Sequence, residues 1–173
     1  MRCADDKGIR GGFTLVEILV TLVILGILLV LAVGNFGGMN EKFKVEAETK
    51  QLYADMMDAR GRAMQRNRVF FVRFPGTSGT NYTTYEDTND PPDGNGSWST
   101  ADTIVANVTV AHTITTALTG GVFVFEFNRN GIASVTGDIR FSSTAQPDYN
   151  CITIQPTRIK MGQYIGVGAC SEK

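Results

Sequence analysis

Residues 11–33 read GGFTLVEILVTLVILGILLVLAV, and the run from Phe13 to Val33 carries a single charge, Glu17. As a helix rising about 1.5 Å per residue, roughly twenty apolar residues match a bilayer core of about 30 Å. The flank before the run holds Arg2, Lys7 and Arg10 beside Asp5 and Asp6. Basic residues orient short flanks, so this end stays in the cytoplasm and everything after about residue 36 is exported. A secretory signal peptide with a small-residue site at Ala32-Val33-Gly34 is the competing reading. Its apolar region would run for only about 7–15 residues and would have no use for Glu17.

A carboxylate inside hydrocarbon costs on the order of a few kcal/mol, so Glu17 either snorkels to the nearby interface or meets a cation from a partner chain. Residues 11–33 together with the short basic leader resemble the class III prepilin leader and first helix of type IV pilins and type II secretion pseudopilins. The resemblance implies that a membrane-embedded peptidase cuts between Gly12 and Phe13, removes residues 1–12 and methylates the new amine of Phe13. It also implies that Glu17 docks on the N-terminal amine of a neighbouring subunit, which turns a costly charge into a test of register. Many pilins have a helix-kinking proline about twenty residues into the mature chain. Here Gly34, Asn35 and Gly37-Gly38 stand in that neighbourhood, and glycine weakens a helix by up to about 1 kcal/mol, so bending or local melting is expected there.

Beyond the run, Met39 to Arg68 has no proline and only Gly61 as a breaker, while Val45, Leu52, Met56, Ala59 and Ala63 recur at near-heptad spacing. That pattern predicts an amphipathic helix, with Glu41, Lys42, Glu46, Glu48, Lys50, Asp55 and Asp58 at the other positions. Met56, Met57 and Met64 read as packing residues rather than a metal box. After residue 68 the period changes to two. Strands are predicted at 69–74, 80–86, 103–111, 122–127, 138–143, 151–155, 158–161 and 164–168, with a turn at Asn130-Gly131. The chain therefore reads as α+β, a long N-terminal helix packed on antiparallel sheet. Its expected segments are 1–12 (leader), 13–36 (span and filament core), 37–68 (amphipathic helix) and 69–173 (β-rich exported part). With 173 residues, 43% of them hydrophobic, one exported domain with a real core is expected.

Residues 86–99, EDTNDPPDGNGSWS, have loop composition. Their carboxylates invite a calcium reading, but starting at Asp87, Asp90 or Asp93 the spacing is not that of an EF-hand loop, and a solvated turn with Asx hydrogen bonds is preferred. Cys3 precedes the apolar run, whereas Cys151 and Cys170 follow it. On the exported side the latter two can pair while Cys3 stays reduced, two free buried thiols being the alternative. The segments VFVFEFNRNGIAS (122–134), DIRFSS (138–143) and CITIQPTRIKMG (151–162) resemble the exported domain of the GspH/FimT group of minor pilins and pseudopilins. In that frame Cys151 and Cys170 bridge the ends of the C-terminal meander.

Catalysis finds no support in the sequence. His112 is the single histidine, no phosphate loop, CxxC or HExxH occurs, and no cofactor, metal or catalytic residue is expected. The formal charge of -1 gives no global attraction to nucleic acid. Some FimT-like pilins take up DNA through a glycine-arginine-any-arginine motif. The nearest match, Thr157-Arg158-Ile159-Lys160, is altered at both ends, so Arg158 and Lys160 offer weak phosphate contacts at most. Arg60, Arg62, Arg66, Arg68 and Arg73 form a second basic group, expected to pair with acids such as Asp55 and Asp58 or with an adjacent subunit.

The resemblances together imply a minor pilin or pseudopilin near the tip of a type IV pilus or type II secretion pseudopilus, with a DNA-binding minor pilin as the alternative. The implied partners are other pilins, the prepilin peptidase, an inner-membrane assembly platform and, before assembly, membrane lipid. The implied location is the inner membrane, crossed once with the N-terminus cytoplasmic and the C-terminal domain periplasmic, and then the filament.

Overall fold

The computed structural model describes residues 12–89 and 94–173, with the side chains of residues 31–37 left aside. The leader reading, Cys3 and the Asp90 to Asp93 part of the acidic loop lie outside the described residues. The chain divides into two compact units, Met1–Gly38 and Met39–Lys173. A single helix, α1 (Leu15–Arg66), supplies the regular structure of the first and opens the second. The helix is unbroken at Gly34.

Within the second unit, Val45, Leu52, Met56, Ala59 and Ala63 are all buried, which is the stripe their spacing predicts. Thr49 falls on the same stripe and is fully buried. Its hydroxyl donates to the Val45 carbonyl at 2.8 Å, which satisfies the polar atom without a partner from the sheet. The helix ends where Asn67 takes a left-handed conformation (φ 53°) and the Arg68 N–H donates back to the Ala63 carbonyl at 3.2 Å, a Schellman closure with asparagine in the usual glycine place.

The strands are β1 (Phe70–Arg73), β2 (Ser78–Glu86), β3 (Thr103–Leu118), β4 (Val124–Phe127), β5 (Gly137–Phe141), β6 (Cys151–Ile154), β7 (Ile159–Gln163) and β8 (Ser171–Glu172). They form one antiparallel sheet in the order β4-β1-β2-β3-β5-β6-β7-β8. One face packs on α1, and the core joins the helix stripe to Phe70, Val72, Phe125, Phe127, Ile139, Ile152 and their neighbours. The α+β arrangement expected from the sequence is the one found.

Three strand expectations need correction. The strand predicted to end at Ala111 continues to Leu118, because Ile114 and Leu118 keep the inward alternation going after a bulge opposite Gly79 to Asn81. Its first half pairs with β2 alone, Ile114 and Thr115 pair with β2 on one side and β5 on the other, and Thr116 to Leu118 pair with β5. The Asn130-Gly131 turn forms, with Gly131 at φ 70° and Asn128 Oδ1 accepting from the Asn130 and Ile132 N–H groups. It does not make a hairpin of the flanking strands, however. β4 lies beside β1 at one edge, and β5 sits on the far side of β3, so the chain crosses over between them. Finally, residues 164–168 are not a strand. Gly166 and Gly168 adopt φ of 95° and 77°, which turns the chain out of the sheet, and β8 forms only after them.

Candidate assembly site

Gly12 and Phe13 stand just before α1, exposed and outside regular structure. The helix start is closed by a reciprocal pair. The Thr14 hydroxyl accepts from the Glu17 N–H at 3.2 Å, and the Thr14 N–H donates to Glu17 Oε2 at 3.5 Å. This is a capping box, which satisfies two of the donors that a helix N-terminus leaves open. The Thr-x-x-Glu spacing of Thr14 and Glu17 is the sequence signal for this cap.

From Phe13 to Val30 every large apolar side chain is open to solvent in a single chain, from Ile18 at 49% and Val20 at 48% to Phe13 and Leu15 at 80%. These residues fall at consecutive positions and cover every face of the helix, so no side is reserved for water. A helix of that kind is stable only when lipid or other helices surround it. Thr21, the polar residue farther in, donates its hydroxyl to the Ile18 carbonyl at 2.8 Å and so presents no unpaired donor to such surroundings. Among the described residues no helix is long and apolar enough to cross a membrane. The described side chains of the run stop at Val30, short of the 13–36 span expected from sequence.

In the second unit the polar side of α1 is bound to the sheet and its loops. Asp55, expected to pair with an arginine, instead accepts from the hydroxyl of buried Tyr82, whose pKa is pushed up by burial and then by that carboxylate. Arg62 pairs with Asp58 at 2.7 Å, Arg66 and Arg68 both approach Glu86, and Arg73 lies over the Trp98 ring at 5.0 Å. Arg60 packs its stem against the Gly131 turn. Most of the basic group is thus engaged within the chain.

Arg158 and Lys160 reach the same carboxylate, Glu172 on β8, at 3.3 and 3.0 Å. In the acidic loop, Asp87 accepts from the Asn95 and Gly96 N–H groups, and Asp102 from those of Thr88, Asn89 and Ser99. Those two carboxylates are buried and hold backbone that is mostly distant in sequence, rather than forming the expected solvated Asx turn; the local Asx bond of this loop is the Ser97 N–H donating to Asn95 Oδ1 at 2.9 Å. Gly94 is required beside them, because it has φ 81° and a Cβ there would lie 2.3 Å from the Asp87 carboxyl carbon.

Cys151 and Cys170 are joined by a disulfide, with Cα atoms 6.1 Å apart, between the start of β6 and the residue before β8. His112 lies on β3 and is bound to the helix. Nδ1 lies 2.8 Å from Glu48 Oε2 and Nε2 lies 3.0 Å from Glu41 Oε1, both on α1. Glu41 and Glu48 stand seven apart, hence on one helix face, which is the signal that could have found the pair.

The chain matches the family described as Type II transport protein GspH over residues 48–157. It belongs to the GspH family. Residues 9–33 of this GspH-family chain also match the prokaryotic N-terminal methylation motif. Among solved structures, the type IV minor pilin FimU of Pseudomonas aeruginosa aligns at 14% identity and TM-score 0.51, covering 71% of this chain and 91% of that one. A second crystal form of FimU aligns at 14% identity and TM-score 0.45 over 67% and 90%. At that identity the first alignment speaks to the fold, a helix on an antiparallel sheet. No curated protein matches the chain in sequence.

Proposed function

We propose that this GspH-family chain is a minor subunit of a type II secretion pseudopilus or type IV pilus, structural rather than catalytic, placed near the filament tip. Before assembly it sits in the inner membrane as a single-pass protein, with residues 1–12 cytoplasmic and the sheet-bearing part periplasmic. Prepilin peptidase cuts between Gly12 and Phe13 and methylates Phe13. The assembly platform then moves the 13–36 segment from lipid into a filament core, where Glu17 pairs with a neighbour's N-terminal amine. Residues 37–68 and 69–173 stay outside that core as the helix and sheet of the exported domain.

The observation that carries this reading is the stretch of α1 from Leu15 to Val30, apolar on every side and uncovered in one chain, shortly after an exposed Gly12-Phe13 within a methylation motif. A helix uncovered all round demands either lipid or like helices, and a subunit that moves between membrane and filament uses both in turn. The test is intact mass and N-terminal sequencing of the protein recovered from the membranes of its own host. N-methylated Phe13, lost when Gly12 is replaced by alanine, is the expected result. An N-terminus near Asn35 would make the chain an ordinary secreted domain and end the filament reading.

A further inference from the structure

Asparagine followed by glycine occurs twice in the chain, at Asn95-Gly96 and Asn130-Gly131. In such a pair the glycine nitrogen can attack the asparagine side-chain amide, because no Cβ on the second residue crowds the approach. Both asparagines are exposed, yet their surroundings differ. The Gly96 N–H donates to Oδ2 of buried Asp87 at 2.7 Å. The Gly131 N–H donates to a backbone carbonyl, that of Asn128, at 2.8 Å. The first nitrogen therefore faces a carboxylate base and the second does not.

The amide under attack is prepared as well. The Ser97 N–H that donates to Asn95 Oδ1 at 2.9 Å polarises the side-chain carbonyl and stands where negative charge grows as the nitrogen adds. That bond closes a ring containing both Asn95 Cγ and the Gly96 nitrogen, which holds the reacting atoms together. The Asn95 N–H donates to Asp87 Oδ1 at 3.1 Å, so the carboxylate is fixed against this peptide from two sides. At the other pair, Asn128 Oδ1 holds the turn by accepting from the Asn130 and Ile132 N–H groups. Among the described residues, that leaves the Asn130 amide without a polarising donor.

We infer that Asn95 is a self-modification site, at which Asp87 promotes deamidation and the product unlatches the stretch from Gly94 to Trp98. The Gly96 nitrogen bonds to Asn95 Cγ as its proton passes to Asp87. The Cγ–Nδ2 bond then breaks, and Nδ2 takes that proton and leaves as ammonia. One water opens the resulting succinimide and leaves aspartate or isoaspartate at position 95. Either product adds a carboxylate to the residue whose N–H holds Asp87, and like charges so placed repel. Isoaspartate also lengthens the backbone by a methylene beside Gly94, where a Cβ would already lie 2.3 Å from the Asp87 carboxyl carbon. Trp98 follows closely in the chain, packed edge-on to Tyr85 at 5.8 Å and against the Arg73 guanidinium at 5.0 Å, and it is released with the loop. The inference does not depend on filament assembly, because it uses only residues of the second unit.

The test is incubation of the full chain in detergent micelles at neutral pH, folded or unfolded in urea, with conversion at each asparagine followed by peptide mass spectrometry. Unfolded, the two pairs share one chemistry and should convert within about twofold of each other. Folded, Asn95 should convert at least about tenfold faster than Asn130, and faster than it does in urea. Trp98 is the single tryptophan of the chain, so its fluorescence should shift in step with Asn95 conversion. Asp87→Asn removes the base and should bring Asn95 down to the rate of the unfolded chain. The comparison of folded with unfolded wild type needs no variant, so it decides the matter even where Asp87→Asn does not fold. A folded Asn95 rate no higher than that of Asn130 or of the unfolded chain, an undiminished rate in Asp87→Asn, or full conversion with unchanged fluorescence would each overturn the inference.

Discussion

His112 on β3 lies 2.8 Å from Glu48 on α1, and the same imidazole reaches Glu41 one helix stretch away at 3.0 Å. Both ring nitrogens can donate at once only in the imidazolium form, so the contact clamps the helix to the sheet when the ring is charged. Burial alone would favour the neutral ring. The hydrogen bonds to Glu48 and Glu41, and then their charges, outweigh it and raise the pKa above the ordinary histidine value. A raised folded pKa means stability that is fully present below about 6.5, the unfolded value, and is lost as pH rises through the folded pKa. Thermal unfolding of the full chain in detergent should therefore show a midpoint that falls as pH climbs from about 6.5. His112→Gln should remove this slope and lower stability at pH 6 by about 1–2 kcal/mol. A wild-type midpoint that is flat, or a slope that survives in His112→Gln, would count against the clamp.

The Cys151–Cys170 bond closes a segment with a sequence separation of 19, and both cysteines are buried. Cross-linking a loop of this size stabilises by about 3 kcal/mol through the unfolded chain. The double variant Cys151→Ser, Cys170→Ser should lose about that much in denaturant unfolding. Because Asn150 holds the other end of the loop, amide exchange should rise at residues 165–170 more than at Tyr164. Uniform exchange across the loop would show that Asn150 anchors nothing.

Arg158 and Lys160 share Glu172, so two cations meet one carboxylate and leave little charge for a phosphate backbone. The purified full chain should bind double-stranded DNA no better than an unrelated protein of similar charge at physiological salt. Glu172→Gln, which frees both cations, should produce weak binding that falls with added salt. Strong wild-type binding abolished by Arg158→Ala with Lys160→Ala would instead favour the DNA-uptake reading.

What the sequence showed depended on distance along the chain. Val45, Leu52, Met56, Ala59 and Ala63 declare a buried stripe because a helix repeats locally, and all five are buried. The strands on either side of Asn130-Gly131 look like a hairpin for the same local reason. Their true partners, β1 for one and β3 for the other, are set by packing between segments far apart in sequence. The His112 contacts, Asp55 with Tyr82, and Arg140 with Gly168 are likewise relations across the fold. The strand expected at 164–168 failed for another reason: alternating apolar residues fit a strand, but the glycines between them allow the left-handed turns that carry Ile165 and Val167 out to solvent.

Glu17 has a partner within its own chain, the Thr14 N–H, and this separates two reasons why its loss would matter. If the carboxylate only closes the helix, then Glu17→Gln should do little damage, because an amide oxygen still accepts from Thr14, whereas Thr14→Ala should cost about 1 kcal/mol at the first turn. If it also meets the amine of a neighbour, its charge is needed as well as its oxygen. Glu17→Gln keeps an oxygen able to accept from Thr14 but removes the charge, so it should leave processing at Phe13 intact and nearly abolish incorporation into filaments. Thr14→Ala keeps the charge and should reduce incorporation by less than about tenfold, which is what a helix end frayed by about 1 kcal/mol permits. Quantifying both variants in sheared filaments against the membrane fraction decides between the roles. A Glu17→Gln loss no greater than that of Thr14→Ala would assign Glu17 to the cap alone, because a charge that meets a neighbouring amine cannot be replaced by a neutral amide without a larger loss than the cap predicts.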